Sequence, residues 1–298
     1  MDFKQLESFI TIAKLKSFSK AAEKLYLTQP TISNHIHILE KELGTILLNR
    51  SNKNVTLTSA GEILYKYSIS ILNKRDHAYF ALDQFKGKIE GILEISSSTI
   101  PEQYFLTDVL YKFNKLYPEV KYSLHRFDST KVVERILLGD IDFGIVGAKK
   151  DNNQLEYIEI FQDEIVLVAP NNDKFFEIDE LEIEDLIEHK YIFRENGSGT
   201  RNKIEEYLSS KKIDVETLDI LGYVENNETI KKLVEMNMGI AFLSKLAVKK
   251  ELENSTLKEI RIDDFKIQRS FYFVYHKSRV LSPLAETFKS FIIDKNYE

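Results

Sequence analysis

The 298-residue sequence contains no cysteine and no long apolar run. The absence of cysteine excludes disulfides, thiolate metal ligands and cysteine nucleophiles. The N-terminus goes directly into an amphipathic pattern that carries Lys4, Glu7 and Lys14, so it has no uninterrupted apolar core of the kind found in signal peptides. No later run approaches the length of a membrane span. We therefore expect a cytoplasmic protein with no membrane partner.

Motifs for catalysis and metal binding are also lacking. His35 and His37 lie two residues apart, so on a helix they point in different directions and cannot bind one metal ion together, unlike a pair at i and i+4. Ser198 has no neighbouring base that the sequence identifies, and neither GxxxxGK nor GxGxxG occurs. The sequence therefore predicts no enzyme, no metal site and no cofactor.

The net charge of −6 is distributed unevenly along the chain. Residues 1–88 contain 13 Lys+Arg and 8 Asp+Glu, a net charge of +5, whereas the remainder carries −11. A uniformly acidic surface would repel the phosphate backbone of a nucleic acid, but a basic N-terminal part attracts it. The charge distribution thus favours a nucleic-acid contact in the first 88 residues.

Residues 18–43 have the pattern of two short helices joined by a tight turn. Ser19 is placed to cap the first helix, and Thr28-Gln29-Pro30 begins the second, since proline is tolerated at the first helical position. The second helix has one apolar stripe, formed by Ile32, Ile36, Leu39 and Leu43. Its other faces carry short hydrogen-bonding side chains, as a helix that reads base edges in the major groove requires.

The candidate DNA contacts of this segment are Ser19, Thr28, Gln29, Pro30, Thr31, Ser33, Asn34 and His37. A preceding helix with Phe3, Leu6, Ile10 and Ala13 along one side would complete a three-helix core. Residues 47–57 then have two apolar ends around a polar middle, which predicts two short strands and an exposed tip. This is a wing, and we expect Arg50 and Lys53 at its tip to contact phosphate or the minor groove.

A long helical pattern runs from Thr58 to about Phe85. Its apolar residues recur at steps of seven, at Leu64, Ile71, Ala78 and Phe85. This spacing suits helix-on-helix packing. The helix could lie on its own domain, but a single domain offers no evident surface for both the Tyr67 and the Leu72 sides, so we favour dimerisation. Residues 86–91 end the helix and have the composition of a hinge.

From residue 92 onward, short β-branched or apolar runs alternate with helical patterns, which predicts an α/β region. The predicted strands are 91–96, 121–124, 143–146, 164–169, 239–243 and 270–275. Ligands of open α/β sheets bind at the carboxyl ends of strands, where loops lead into helix N-termini. The loops at these positions are therefore the candidate ligand sites.

Two hydroxyl-rich loops favour an anion. Residues 96–101 follow a strand and precede a helix, and residues 195–201, Glu-Asn-Gly-Ser-Gly-Thr-Arg, let backbone N–H groups converge at a helix start. The candidate effector contacts are Ser97, Ser98, Thr99, Ser198, Gly199, Thr200 and Arg201. Each loop also has a purely structural interpretation as a helix cap. A third loop, residues 222–229, could supply a lid or a polar wall.

Ala21-Ala-Glu-Lys-Leu25, Thr28-Gln-Pro-Thr-Ile-Ser33, Leu57-Thr-Ser-Ala-Gly61 and the Glu195–Arg201 loop resemble the LysR-type transcriptional regulators. The resemblance covers the whole chain. It implies an N-terminal winged helix-turn-helix, a long linker helix, and a two-lobed α/β effector domain of the periplasmic-binding-protein type. Phe18-Ser-Lys-Ala-Ala22 and the Gly-Ser-Gly-Thr-Arg loop look most similar to the sub-branch associated with sulfur, selenium or carbon assimilation.

The domains implied by the resemblance are a winged helix-turn-helix over 1–58, a linker and dimerisation helix over 59–89, and an effector domain over 90–298. Lobe I would comprise about 90–163 and 266–298, and lobe II about 164–265, with the ligand between them. The implied partners are double-stranded DNA, a small effector and further copies of the chain, as a homodimer or a dimer of dimers. RNA polymerase is another partner that the resemblance allows.

We therefore predict a DNA-binding transcriptional regulator that responds to a small anion, either an oxyanion or a carboxylate, bound between the two lobes. The alternative is a cytosolic small-molecule binding module whose N-terminal helices contact proteins. Sequence-specific retention on DNA separates the two hypotheses.

Overall fold

The computed structural model describes residues 1–50, 55–85, 89–172, 175, 178, 180–262 and 265–297. Its helices are α1 (Phe3–Leu15), α2 (Phe18–Lys24), α3 (Gln29–Leu43), α4 (Ser59–Phe85), α5 (Leu106–Leu116), α6 (Ser129–Leu138), α7 (Gly199–Ser210), α8 (Asn227–Glu235), α9 (Lys245–Glu253) and α10 (Pro283–Ile293). A π-helical turn over Pro101–Phe105 precedes α5, and short 3₁₀ turns cover Ile183–Glu188 and Val215–Thr217.

The strands are β1 (Leu48–Arg50), β2 (Val55–Leu57), β3 (Gly91–Ser97), β4 (Val120–Arg126), β5 (Phe143–Val146), β6 (Leu155–Pro170), β7 (Glu180–Leu181), β8 (Lys190–Arg194), β9 (Asp219–Val224), β10 (Ala241–Ser244), β11 (Leu257–Ile262) and β12 (Ile267–His276). None of the helices in the described ranges combines the length and the apolar composition that crossing a membrane requires.

Helices α1, α2 and α3 form the predicted three-helix core, but Phe3 on the predicted apolar side of α1 is 47% exposed. Ile32, Ile36 and Leu39 are buried as the apolar stripe of α3 predicts, but Leu43 at the end of that stripe is 40% exposed. The cap of α2 was predicted wrongly. The Ser17 hydroxyl, not that of Ser19, accepts the hydrogen bond from a first-turn N–H, because the helix begins at residue 18.

The wing is confirmed by the antiparallel pairing of β1 with β2, in which Leu48 lies opposite Leu57. Lys53 at its predicted tip lies outside the described residues. The wing is fixed to α3 because the Glu40 carboxylate accepts hydrogen bonds from the N–H groups of Leu47 and Leu48. Gly61 is required in the next helix, since a Cβ there would lie 2.1 Å from a backbone oxygen of the wing.

Helix α4 connects the N-terminal domain to the α/β region and contacts both. Leu64 and Leu72 pack toward the N-terminal core. Further along, the Asn73 amide donates to the carbonyl of Val280, and the His77 ring lies 2.6 Å from the carbonyl oxygen of Leu281. Elsewhere on α4, Ile63, Tyr67 and Tyr79 are exposed. The hinge predicted at 86–91 falls partly on residues 86–88, outside the described residues.

The α/β region contains one large mixed sheet with the strand order β4-β3-β5-β12-β6-β11-β7, and β10 also pairs with β6. Strand β12 pairs antiparallel along its whole length with residues 155–165 of β6. The sequence predicted only the second half of β6, from residue 164, whereas the strand begins at Leu155. Strands β8 and β9 form a separate two-stranded parallel sheet.

Two large buried apolar clusters, one in each lobe, show that this region has two lobes. One lobe packs around Phe113, Phe273 and Phe288, and the other around Tyr191, Leu208 and Phe242. Strands β6 and β12 contribute side chains to the cores of both lobes. These two long strands therefore join the lobes and lie at the floor of the space between them.

Candidate functional site

The N-terminus of α3 presents a cluster of polar side chains. The Thr28 hydroxyl accepts a hydrogen bond from the N–H of Thr31 and lies 2.8 Å from the Thr31 hydroxyl. The Ser19 hydroxyl donates to the side-chain carbonyl of Gln29 over 3.2 Å. Because Ser19 lies on α2, this bond orients Gln29 relative to α2 and leaves its amide group as a donor.

The other predicted DNA contacts lie on the outer side of α3. Asn34 and His37 are exposed, Pro30 is exposed at the helix start, and Ser33 is half-buried. His35 has a different role, since its Nδ1 lies 2.7 Å from the Ser8 hydroxyl and links α3 to α1. The side chain of Arg50, at the end of β1, lies outside the described residues.

A cleft of about 560 Å³ lies between the two lobes. Its walls are formed by residues 98–101, 128–130, 147–148, 194–200 and 202, and by Arg269 and Phe271 of β12. The first three segments belong to the lobe that packs around Phe113, and residues 194–202 belong to the other lobe. A molecule in this cleft would therefore contact both lobes and the strands that join them.

Five of the seven predicted effector contacts line the cleft: Ser98, Thr99, Ser198, Gly199 and Thr200. The Ser98 hydroxyl accepts a hydrogen bond from the N–H of Gly147, which ties two wall segments together. The other two were placed wrongly by sequence reasoning. Ser97 is buried, and its hydroxyl donates to the carbonyls of Ser98 and Ile145. Arg201 lies outside the cleft, where it pairs with Glu205 and stacks on Tyr223.

Helices α6 and α7 both begin at the cleft, one from each lobe. Asp128 caps α6 by accepting a hydrogen bond from the N–H of Lys131. Ser198 is the N-cap residue of α7, but its side chain makes no capping hydrogen bond. Helix N-termini carry unpaired N–H donors and a partial positive charge, so both walls favour an anionic group.

Arg269, which the sequence analysis did not select, lies at the floor of the cleft. Its Nε and Nη2 donate to one carboxylate oxygen of Asp163 over 2.8 and 2.6 Å, and its Nη1 donates to the Thr200 hydroxyl over 3.0 Å. Burial lowers the pKa of Arg269, and the adjacent Asp163 opposes that change. The second oxygen of Asp163 accepts from the Ser244 hydroxyl.

A sequence signal for Arg269 existed. Ile267, Arg269, Phe271 and Phe273 alternate with more polar residues, so the arginine shares the inward face of β12 with three apolar side chains. A charge at such a position needs a partner. The predicted strand began at residue 270, which left Arg269 outside the pattern.

Arg194, at the end of β8, is a second buried cation in the cleft wall. Its Nε and Nη2 each donate to a different oxygen of the Glu195 carboxylate, over 2.8 and 2.9 Å. Its Nη1 donates to the side-chain carbonyl of Asn227 over 2.8 Å. The charged side chains that line the cleft are Arg194, Arg269, Asp128 and Glu195, so their formal charges cancel.

The loop over 222–229, considered above as a lid or a polar wall, does not line this cleft. Asn226 instead caps α8 through the N–H groups of Glu228 and Thr229. The same helix makes a contact between the lobes, because the Tyr104 hydroxyl donates to the Glu228 carboxylate over 2.7 Å. Within the described ranges, no group of three or more acidic or histidine side chains is arranged to hold a metal ion.

Comparison with known proteins agrees with this architecture. Residues 3–62 match the family model for bacterial regulatory helix-turn-helix proteins of the lysR family, and residues 86–296 match the LysR substrate binding domain. The HTH-type transcriptional regulator CysL of Bacillus subtilis is 31% identical over 97% of this chain and 94% of its own length.

Two solved structures extend the comparison. A full-length OxyR variant from Pseudomonas aeruginosa superimposes with a TM-score of 0.69 over 98% of this chain and 97% of its own, at 16% identity, and so has the same fold. The Synechocystis CcmR regulatory domain, in complex with 2-PG, has a TM-score of 0.62 at 25% identity and covers 69% of this chain and 97% of its own. The chain therefore belongs to the LysR family of transcriptional regulators, with an N-terminal helix-turn-helix domain followed by a two-lobed effector-binding domain.

Proposed function

We propose that the chain binds operator DNA through α3 and the wing, and that a small anion bound between the lobes changes this binding. The proposal that an anion binds between the lobes rests on the hydrogen bond between Arg269 and Thr200 at the floor of the cleft. It joins a buried guanidinium on a strand shared by both lobes to the first turn of α7. An anion at this point would alter how the lobes meet.

The DNA contacts that we propose are those of the polar surface of α3 and of the wing. Gln29, Thr31, Ser33 and Asn34 would read base edges, with Ser19, Thr28, Pro30 and His37 at the border of the groove. Arg50 and Lys53 would contact phosphate or the minor groove. The net charge of +5 over residues 1–88 supports this division of roles, because the basic part of the chain is the part that meets DNA.

The effector contacts that we propose are Ser98, Thr99, Ser198, Gly199 and Thr200, with Arg269 added from β12. Two helix N-termini and a buried guanidinium suit both a carboxylate and an oxyanion such as sulfate or phosphate. The likeness to the CcmR regulatory domain, which was solved with 2-PG, supports a small effector in this domain. The relation to sulfur, selenium or carbon assimilation stays a prediction.

We further propose that α4 forms a dimer. Tyr67, Ile71, Ala78 and Tyr79 line an apolar groove of about 610 Å³, which Phe3 of α1 also lines, and Tyr67 is 67% exposed. A second copy of α4 would bury these side chains. Pairing of two such dimers would give the predicted dimer of dimers, and successive half-sites would lie about one helical turn of DNA, ~34 Å, or a multiple of it apart.

We propose that the chain is divided into domains at 1–58, 59–89 and 90–298. We also propose that the protein is cytoplasmic. The division into domains is supported by the separate apolar core of the N-terminal domain and by the two cores that share β6 and β12. Residue 163 on β6 and residue 266, just before β12, lie close to the points at which these strands pass from one core to the other. The proposed limit at residue 163 falls on the buried Arg269–Asp163 pair, and the limit at 266 lies three residues before Arg269.

The effector site is tested with Thr200→Val, which keeps the side-chain shape but removes the hydroxyl that Arg269 contacts. We expect anion binding, measured calorimetrically with sulfate, phosphate and small carboxylates, to weaken by about tenfold or more. Thr287→Val is the matched control, because its half-buried hydroxyl bonds to a carbonyl of α10 far from the cleft. Equal anion affinity in the two variants would remove Thr200 from the site.

A further inference from the structure

The cleft lining contains a carboxylate, that of Glu195, which is paired with a buried arginine. The Glu195 carboxylate receives two parallel hydrogen bonds from the Arg194 guanidinium, over 2.8 and 2.9 Å. This fork geometry is the arrangement in which arginine binds a carboxylate or a phosphate. Both residues line the cleft, so the fork is directed at the space in which the proposed effector would lie.

Burial differs sharply between the two partners. The Arg194 side chain is 5% exposed, whereas the Glu195 side chain is 29% exposed. The guanidinium is also fixed from its other side by the hydrogen bond to Asn227. Arg194 is therefore a rigid, buried donor, and Glu195 is the partner that can turn away into water without opening the core.

The chain after Glu195 has room for such a movement. Gly197 has a φ of +85°, and a Cβ added at Gly197 or Gly199 would meet no other atom within 4 Å. Ser198 between them makes no capping hydrogen bond. Asn196 and Gly197 are exposed, so the tip of the loop next to Glu195 is not packed, whereas Ser198 behind it is buried.

The pairing of charges in the cleft explains why an anion would require Glu195 to move. With Glu195 on Arg194 and Asp163 on Arg269, each buried cation of the cleft already has a carboxylate partner. Asp163 is itself buried at the floor, so it cannot leave, but Glu195 stands at the rim. An arriving anion gains an unpaired guanidinium only if Glu195 is displaced.

We propose that Glu195 is a built-in competitor for the effector: its carboxylate occupies the Arg194 fork, and the carboxylate or phosphoryl group of the effector replaces it there. This inference rests on the proposed anion-binding function of the cleft. It adds Arg194 to the proposed effector contacts, beside Arg269, and makes Glu195 set the affinity. The resulting site excludes neutral ligands, which cannot compensate the guanidinium once Glu195 has left.

The test is phosphate binding to the full-length protein by titration calorimetry. Glu195→Gln keeps the side-chain size but removes the competing charge, so the phosphate Kd should fall by about tenfold or more. Asp128→Asn is the matched control. It also removes one negative charge from the cleft lining, but the Asp128 carboxylate caps α6 and pairs with no arginine in the described structure, and asparagine caps equally well. Its gain should be much smaller.

The outcomes separate this inference from the proposed function. If wild type binds phosphate and Glu195→Gln binds it no more tightly than Asp128→Asn does, the competitor role is wrong and the anion site stands. If no variant binds phosphate, Glu195→Gln included, the competitor role is wrong, and the titrations with sulfate and small carboxylates then decide whether the proposed anion site stands. Thermal melting gives a second measurement: Glu195→Gln should melt lower than wild type in phosphate-free buffer and recover as phosphate is added. A loss of melting temperature that phosphate does not reverse would also contradict the proposal.

Discussion

The Arg269–Asp163 pair provides the sharpest quantitative prediction. Both side chains are buried, and Asp163 accepts two hydrogen bonds from the guanidinium on one oxygen and one from Ser244 on the other. Asp163→Ala would leave the Arg269 charge buried without its carboxylate, and Arg269→Met would leave the Asp163 charge with only neutral donors. Removing one partner of a buried pair costs about 3–5 kcal/mol.

The double variant Asp163→Ala/Arg269→Met should cost less than the sum of the two single changes. Neither buried charge remains in it, and methionine fills much of the space of the arginine stem. We expect a coupling energy of about 2 kcal/mol between the two positions, within the range typical of residues in one ion-pair network. Because the pair joins the two strands shared by the lobes, the loss should be local to β6 and β12.

Hydrogen exchange measured by mass spectrometry on the full-length chain is the appropriate assay. Peptides from Leu155–Pro170 and Ile267–His276 report the free energy of opening these strands, and peptides from α1–α3 serve as the internal reference. The single variants should exchange faster in β6 and β12 and remain unchanged in the N-terminal domain. Strictly additive effects in the double variant would refute the interpretation of this pair as a coupled, buried ion pair.

Further predictions concern the DNA interface, the dimer and the contact between the lobes. Ser33→Ala should reduce the preference for operator over random DNA. Lys53→Ala should weaken binding to operator and random DNA equally and lower the salt dependence of binding. If the two variants lose the same affinity on operator and on random DNA, the assignment is contradicted. Ile71→Asp places a charge in the exposed groove of α4 and should yield monomers in sedimentation experiments, which an unchanged oligomer would disprove. Tyr104→Phe removes the hydrogen bond to Glu228 and should weaken phosphate binding by about threefold; an unaltered Kd would mean that this bond does not stabilise the bound state.

Local patterns were sufficient for the elements of the N-terminal domain. The spacing of Ile32, Ile36 and Leu39 fixes the buried face of α3, and Thr28 with Pro30 fixes its start. The cap of α2 failed because two serines lie two residues apart, and the choice between them depends on where the chain leaves α1. Which serine caps the helix is therefore determined by the conformation of the turn and not by the serine itself.

The cleft could be predicted only in part, because its key contacts connect distant parts of the chain. Thr200 was accessible to sequence reasoning as a helix-start hydroxyl, but its partner Arg269 is 69 residues away, and Asp163 lies 106 residues from Arg269. Of the two arginines near the glycine loop, sequence reasoning selected Arg201 and missed Arg194. The structure directs Arg194 at the cleft because it ends a strand, while Arg201 is turned outward by the first turn of α7.

The measurement that tests the account most directly is retention of the full-length protein on the DNA upstream of its own coding region, compared with random DNA, across a salt series. It should be made with and without sulfate, phosphate, selenite and small carboxylates. The account predicts that the wild type is retained specifically and that one class of anion changes this retention. In Thr200→Val the same anion should leave specific retention unchanged. Retention that no anion alters, in a protein that binds the anion, would contradict the proposed coupling between the cleft and DNA.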